Sequence, residues 1–347
     1  MERHLDSPTS KKTYTVEDRE LLLGVYKKLL WDRLVLRIPD AIRPNSITLM
    51  GQVCAVIGVV SAGFASYVHP LLYGVSAIAW LAYLTADNVD GPHARRTGQT
   101  SVLGEFLDHG LDGFANGAVL LTTCFVLHIE GLWLALFLAL GAVGFVVTFW
   151  EQYRTGRLVL PELSSTEGVT VVMILEIIAC VFQEPEWLNL DLTGWNFSVG
   201  LMSFVLLGYA VAIVQPVWRA KRAGAAIFEL LYVFSVLGGL VVFVPLGGAA
   251  LLPSIAMGLF GADVVCRVIR LRHEGLEKCV VASYHWLYIV PVVAAAALPD
   301  VWSVDGWAMV SVAIAFIAYV RTLLVSGSML LRQDAEEKAN AAATATN

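Results

Sequence analysis

The chain has 347 residues, of which 57% are hydrophobic and 15% are charged, and its formal net charge is −6. Soluble domains carry about 25% charged residues, so the composition excludes an ordinary soluble globular protein. We predict an all-α helix bundle that crosses a membrane several times.

The N-terminal segment, residues 1–43, is polar and is expected on the cytoplasmic side. Within it, residues 21–37 alternate apolar and basic side chains at helical spacing. This pattern is typical of an amphipathic helix that lies on an anionic lipid surface. An amphipathic helix packed on the rest of the protein is the alternative interpretation.

Apolar stretches long enough to span a bilayer, at about 20 residues each, fill most of the remaining chain. They predict about ten transmembrane helices in a membrane domain at 44–328, with a catalytic core at about 44–220 and a disordered cytoplasmic tail at 329–347. The predicted spans are 46–67, 70–90, 101–127, 132–150, 168–183, 198–218, 226–244, 247–266, 279–298 and 306–327.

The distribution of basic residues predicts the orientation of these helices. All 23 Lys and Arg residues fall on one side of the map or at that side's helix ends, and the opposite loops at 128–131, 184–197 and 299–305 contain none. Because cytoplasmic loops are rich in Lys and Arg, we expect both termini and the residue 87–112 region on the cytoplasmic side of a multi-pass protein.

Four aspartates stand where the second and third predicted spans meet: Asp87, Asp90, Asp108 and Asp112. A carboxylate at the centre of a membrane helix costs roughly 2.5–3.5 kcal/mol, so such a cluster needs a cation. At i, i+3 and i, i+4 spacing, each pair shares one face of its helix. Oxygen ligands suit Mg²⁺ or Mn²⁺, and the pattern therefore predicts a site for one or two of these ions. A polar loop at a helix corner is the alternative.

The array also fits the pattern D-x2-D-G-x2-A-R-x8-G-x3-D-x3-D, which resembles the CDP-alcohol phosphotransferase family. The matching residues are Asp87, Asp90, Gly91, Ala94, Arg95, Gly104, Asp108 and Asp112. The residues around the pattern resemble the choline/ethanolamine phosphotransferase branch. Two further segments, 43–48 and 149–168, agree with this resemblance.

The resemblance implies an enzyme that transfers phosphocholine or phosphoethanolamine from CDP-choline or CDP-ethanolamine to diacylglycerol or a related lipid alcohol. It implies two Mg²⁺ or Mn²⁺ ions on the four aspartates. It also implies a homodimer among membrane lipids, in the endoplasmic reticulum, the Golgi or a bacterial inner membrane, with no nucleic-acid partner. The residues implied at the nucleotide are Asn45, Asp87, Gly91, Ala94, Arg95 and Gly104.

Further side chains near the aspartates are candidates for acid–base work. The resemblance implies that Asp112 is a metal ligand, a general base or both. His109 is the alternative base, and Glu105 is expected to orient a ligand or to accept a hydrogen bond from the headgroup. Glu151 and Glu167 are candidates for a cluster that holds the amine of the headgroup.

Three alternatives to this function remain at the level of sequence. A phosphatidyltransferase that uses CDP-diacylglycerol and a small alcohol would resemble the shorter members of the family, with about six helices. A metal-ion transporter would place its carboxylates along a path across the bilayer, whereas these are clustered in one short segment. A catalytically inactive membrane scaffold would not need the intact motif.

Overall fold

The structure, a computed structural model, describes residues 15–161, 164–182 and 197–345. Apart from two short strands, the described elements are helices. The chain is a multi-pass membrane protein, as predicted. Among the described residues, six helices are long and apolar enough to cross a membrane.

The N-terminal segment packs against the helical domain. Strand β1 (Thr15–Asp18) pairs in parallel with β2 (Arg157–Leu160), with Thr15 opposite Arg157. Three consecutive helical pieces follow: α1 (Leu23–Tyr26), a π turn (Lys27–Trp31) and α2 (Asp32–Val35). Trp31 is 1% exposed and stacks on Tyr26. The predicted amphipathic segment is therefore helical, and its aromatic face contacts protein.

In the described parts of the chain, ten α-helices follow, one within each predicted span or overlapping it. They are α3 (Pro44–Ala65), α4 (Leu71–Thr97), α5 (Val102–Val126), α6 (Gly131–Thr155), α7 (Ser165–Phe182), α8 (Phe197–Arg222), α9 (Phe228–Val241), α10 (Leu251–His273), α11 (Val290–Ala297) and α12 (Val304–Ala345). The prediction of an all-α bundle is confirmed.

Several predicted boundaries differ from the observed ones, and two of the differences bear on the site. The second predicted span ends at residue 90, just before Pro92, because proline commonly ends a helix. In the structure α4 continues through Pro92 to Thr97 and ends at Gly98, whose φ of 68° is left-handed. A proline removes one backbone donor, and the rest of the helix persists around that loss. The tail at 329–347 was expected to be disordered, but α12 runs to Ala345, because its Ala-, Glu- and Lys-rich sequence favours helix.

Helix α10 occupies the centre of the bundle and packs on α5, α6 and α12. Small residues allow α5 and α10 to approach closely. A Cβ added at Gly113 would lie 2.7 Å from the Cα of Ala262, and one added at Gly117 would lie 3.2 Å from the Cα of Gly258. This close contact fixes α5, which carries half of the aspartate array, against the core.

A buried polar cluster forms around Asp263 of α10 and the turn that precedes α11. His285 Nδ1 accepts a hydrogen bond from the backbone N–H of Ala282, so Nε2 carries the proton and donates to Asp263 at 2.8 Å. The hydroxyls of Tyr284 and Tyr288 also donate to Asp263. These side chains lie in a 3₁₀ turn at Ser283–Tyr288, whose geometry directs them at one carboxylate.

Candidate active site

The four aspartates of the motif lie on two consecutive helices. Asp87 and Asp90 are near the end of α4, and Asp108 and Asp112 are near the start of α5. At 1.5 Å per residue, they stand about 9–15 Å from the turn that joins the two helices. Ser101 caps the N-terminus of α5: its hydroxyl accepts a hydrogen bond from the backbone N–H of Gly104 at 2.9 Å. The helices thus bring the two predicted pairs together.

Asp90 is buried and held by its neighbours. The Thr48 hydroxyl on α3 donates to Oδ2 of Asp90, and the backbone N–H of Gly91 donates to Oδ1. The Arg95 guanidinium lies close enough to Asp90 and to Asp108 to interact with both electrostatically. Residues of two helices, α3 and α4, therefore contribute to the position and charge of this carboxylate.

Asp112 also has a hydroxyl partner. Tyr83 on α4 donates to Oδ1 of Asp112 at 3.0 Å, and the carboxyl of Asp87 lies within hydrogen-bonding reach of Asp112. Tyr83 stands one turn before Asp87 on the same helical face. Sequence analysis missed this residue, although the i, i+4 spacing from Tyr83 to Asp87 would have placed it beside the array.

His109 and the aspartates of α5 form a compact group. One potential ligand atom from each of Asp108, His109 and Asp112 lies within 4.8 Å of the others. Nδ1 of His109 is 3.9 Å from Oδ2 of Asp108, and its ring lies beside Phe149 of α6. His109 therefore lies beside the carboxylate of Asp108 on one side and the ring of Phe149 on the other.

The residues present fit divalent cations. Asp87, Asp90, Asp108 and Asp112 are close enough to repel one another electrostatically, and Arg95 brings one positive charge to them. Repulsion among buried carboxylates is relieved when a cation binds between them. An oxygen-rich donor set favours Mg²⁺ or Mn²⁺ over the metals that prefer sulfur.

Glu105 is held by α10. It forms an ion pair with Arg272, and its other oxygen lies 3.7 Å from Nε2 of His273. Sequence analysis placed Glu105 at the site but missed both partners, because they stand more than 160 residues away and belong to no local motif. Arg272 and His273 connect α5 to the centre of the bundle.

The residues implied at the nucleotide gather near the start of α3, the end of α4 and the start of α5. A Cβ added at Gly104 would lie 3.2 Å from Oδ1 of Asn45, and one added at Gly91 would lie 3.3 Å from Nη1 of Arg95. Ala94 is half-buried and Arg95 is exposed. The small residues thus lie next to the polar groups that the resemblance assigns to the nucleotide.

The expected headgroup cluster is not an open anionic site. Glu151 forms a bidentate ion pair with Arg219, at 2.5 and 2.8 Å. Glu167 accepts hydrogen bonds from the backbone N–H groups of Leu22 and Ser164. Both carboxylates already have partners that hold the N-terminal segment and α8 in place, and we therefore withdraw their assignment to the amine.

Comparison with known proteins agrees with the motif. A family model described as CDP-alcohol phosphatidyltransferase matches residues 41–215. The chain is 30% identical over 205 residues to an uncharacterized CDP-alcohol phosphatidyltransferase class-I family protein of Schizosaccharomyces pombe, covering 56% of this chain and 53% of that protein.

Relatives with named activities have similar identity. Choline/ethanolaminephosphotransferase 1 of Saccharomyces cerevisiae is 32% identical over 193 residues, covering 52% of this chain and 47% of that protein. Ethanolaminephosphotransferase 1 of Pongo abelii is 28% identical over 233 residues, covering 59% and 55%. The chain spans about half the length of the curated relatives it matches.

Proposed function

The chain belongs to the CDP-alcohol phosphatidyltransferase family, and on that premise we propose that it transfers phosphocholine or phosphoethanolamine from a CDP-alcohol to diacylglycerol. The observation that carries the proposal is the four-aspartate site, which α4 and α5 assemble beside Arg95. The names of the relatives support this choice of substrates.

The proposed reaction exchanges one phosphorus–oxygen bond for another. The lipid hydroxyl oxygen forms a bond to the phosphorus that carries the small alcohol, and the bond from that phosphorus to the oxygen of CMP breaks. CMP leaves with the electron pair, and the hydroxyl proton passes to a base on the protein. The products are the phospholipid and CMP.

The four aspartates would hold two Mg²⁺ or Mn²⁺ ions. When bound, such ions supply positive charge that stabilises the attacking and leaving oxygens of a phosphoryl transfer. The Thr48 and Tyr83 hydroxyls orient Asp90 and Asp112, and partners of this kind fix the direction of ligand lone pairs. The Arg95 guanidinium is suited to a phosphate oxygen of the diphosphate.

For the base we propose Asp112, with His109 as the alternative. Asp112 lies on α5 and is close to Tyr83 and Asp87 of α4. The hydrogen bond from Tyr83 fixes the direction of its carboxyl group. His109 lies beside Asp108 and next to Phe149, where it can orient the aspartates. A base within hydrogen-bond distance of the attacking hydroxyl typically contributes about 10²–10⁴-fold.

The proposed orientation places the site at the cytoplasmic end of α4 and α5. A soluble CDP-alcohol then reaches it from water, and diacylglycerol reaches it sideways between helices with its hydroxyl near the headgroup level. The one-sided distribution of the 23 basic residues supports this arrangement. The homodimer implied by the family resemblance stays a prediction.

Product analysis tests the proposed function. The purified protein in liposomes with Mg²⁺ and diacylglycerol is expected to release CMP and form the matching phospholipid from CDP-choline, CDP-ethanolamine or both. Asp90→Asn, purified in the same way, controls for a contaminating enzyme. CMP release only from CDP-diacylglycerol with a water-soluble alcohol would contradict the proposal and favour the other branch of the family.

A further inference from the structure

An aspartate near the C-terminus lies against the start of α5. Asp334 is on α12, outside the range 41–215 that the family model matches. Its side chain is only 8% exposed, whereas its neighbours Ala335 and Glu336 are exposed. The carboxylate of Asp334 is therefore turned inward, whereas the side chain of Glu336 faces outward.

The buried carboxylate accepts hydrogen bonds from the first turn of α5. Oδ1 of Asp334 lies 2.9 Å from the backbone N of Val102, and Oδ2 lies 3.1 Å from the backbone N of Leu103. The first N–H groups of a helix have no partner within it, and a negative charge there is favourable. Asp334 thus supplies from α12 what the local sequence at Val102 and Leu103 lacks.

The same two helices make two more contacts, one in the first turn of α5 and one further along it. Gly327 of α12 lies against the side chain of Leu103, and the Tyr319 hydroxyl donates to the backbone carbonyl of Gly110 at 3.4 Å. Gly110 stands between Asp108 and Asp112 in the chain. Contacts at both ends of the segment 102–110 therefore set where α5 places its carboxylates.

We infer that Asp334 is a positioning residue for the metal site, which it serves by fixing the N-terminal turn of α5. The inference rests on the proposed function, because it assigns to Asp108 and Asp112 the binding of a divalent ion. An α-helix is stiff over the roughly two turns from Val102 to Asp108. A change in the anchored turn therefore moves or loosens both carboxylates.

Two measurements on the full-length protein test this inference without a turnover assay. Hydrogen exchange reports the backbone amides of Val102 and Leu103, and Mn²⁺ titration followed by electron paramagnetic resonance reports metal affinity. Asp334→Ala is expected to speed exchange at these two amides and to weaken Mn²⁺ binding, each by about 2- to 30-fold, the range for loss of a helix cap. The melting temperature is measured alongside.

Glu336→Ala is the matched control, because it removes an exposed carboxylate two residues away on the same helix. It is expected to change neither exchange nor Mn²⁺ affinity. Asp334→Asn keeps the shape and one accepting oxygen, so it should give intermediate values, and it carries the test if Asp334→Ala does not fold.

The outcomes separate the inference from the proposed function. Faster exchange with unchanged Mn²⁺ affinity would overturn the positioning role, and unchanged exchange would overturn the contact itself. An equal loss of affinity in Glu336→Ala would also contradict it. Wild-type protein that binds no Mn²⁺ would count against the proposed metal site, while the exchange data would still decide whether Asp334 fixes α5.

Discussion

At the scale of single residues, hydroxyl groups fix the direction of two site carboxylates. Tyr83 donates to Asp112, and Thr48 donates to Asp90. The motif specifies the aspartates but not these partners, because a hydroxyl at helical spacing in an apolar sequence is common. The four carboxylates could therefore be predicted from the motif, whereas the hydrogen bond from Tyr83 to Asp112 on the next helix required the structure.

Tyr83→Phe removes the hydroxyl and keeps the ring. Because the Asp112 carboxyl group loses its donor, we expect activity or Mg²⁺ affinity to fall by roughly 10-fold, at the low end of losses for partners of metal ligands. Measuring CMP release against Mg²⁺ concentration checks this. Tyr67→Phe is the control, since Tyr67 is 84% exposed, and an equal loss in both variants would contradict the role of Tyr83.

Two substitutions distinguish Asp112 from His109 as the general base. If Asp112 accepts the proton, Asp112→Asn should abolish turnover while His109→Ala retains measurable activity. If His109 is the base, His109→Ala should lose about 10²–10⁴-fold across the pH range. The measurement is kcat for CMP release as a function of pH, and a His109→Ala enzyme within about threefold of wild type would exclude histidine as the base.

At the scale of elements, hydropathy predicted each helix but not where two of them end. Pro92 suggested a helix end, yet α4 continues to Thr97, which places Arg95 on the same helix as Asp87 and Asp90. The polar tail suggested disorder, yet α12 continues and brings Asp334 to α5. In both places a side chain also makes a contact distant in sequence, Arg96 with Asp40 and Asp334 with α5. Local pattern cannot show these contacts.

The close packing of α5 on α10 depends on Gly113. In Gly113→Ala the new Cβ would meet the backbone of Ala262 at 2.7 Å, so the helices must separate. We expect a loss of about 1–3 kcal/mol in the free energy of unfolding, measured by thermal unfolding in detergent. Gly238→Ala on α9 is the control, because no neighbouring atom lies within 4 Å of its Cβ position. Equal melting temperatures for the two variants would contradict this account.

At the scale of the whole molecule, the central helix α10 and the last helix α12 both hold α5. Arg272 and His273 meet Glu105, and Asp334 meets the first turn. The motif lies in the first half of the chain, but several of the contacts that position it come from the second half. Long-range pairings of this kind explain why sequence could predict the candidate site residues and not their support.

Orientation in the membrane is a prediction for the whole molecule. With the five native cysteines replaced, single cysteines introduced at Thr97 and Gly224 are expected to react with an impermeant reagent from the cytoplasmic side. A cysteine at Ser303 should react from the other side, because the loop that contains it lacks Lys and Arg. Labelling of Thr97 and Ser303 positions from the same side would overturn the proposed topology.

The most direct test of the account is whether CMP release depends on a divalent ion held by the four aspartates. We expect EDTA to abolish release from CDP-choline or CDP-ethanolamine and Mg²⁺ to restore it. Asp87→Asn and Asp108→Asn should fold yet lose more than the roughly 10–100-fold that removing an outer-shell partner costs. Asp300→Asn, at an exposed position on a loop, should behave as wild type. Full activity in EDTA, or normal rates in Asp108→Asn, would contradict the metal site on α4 and α5.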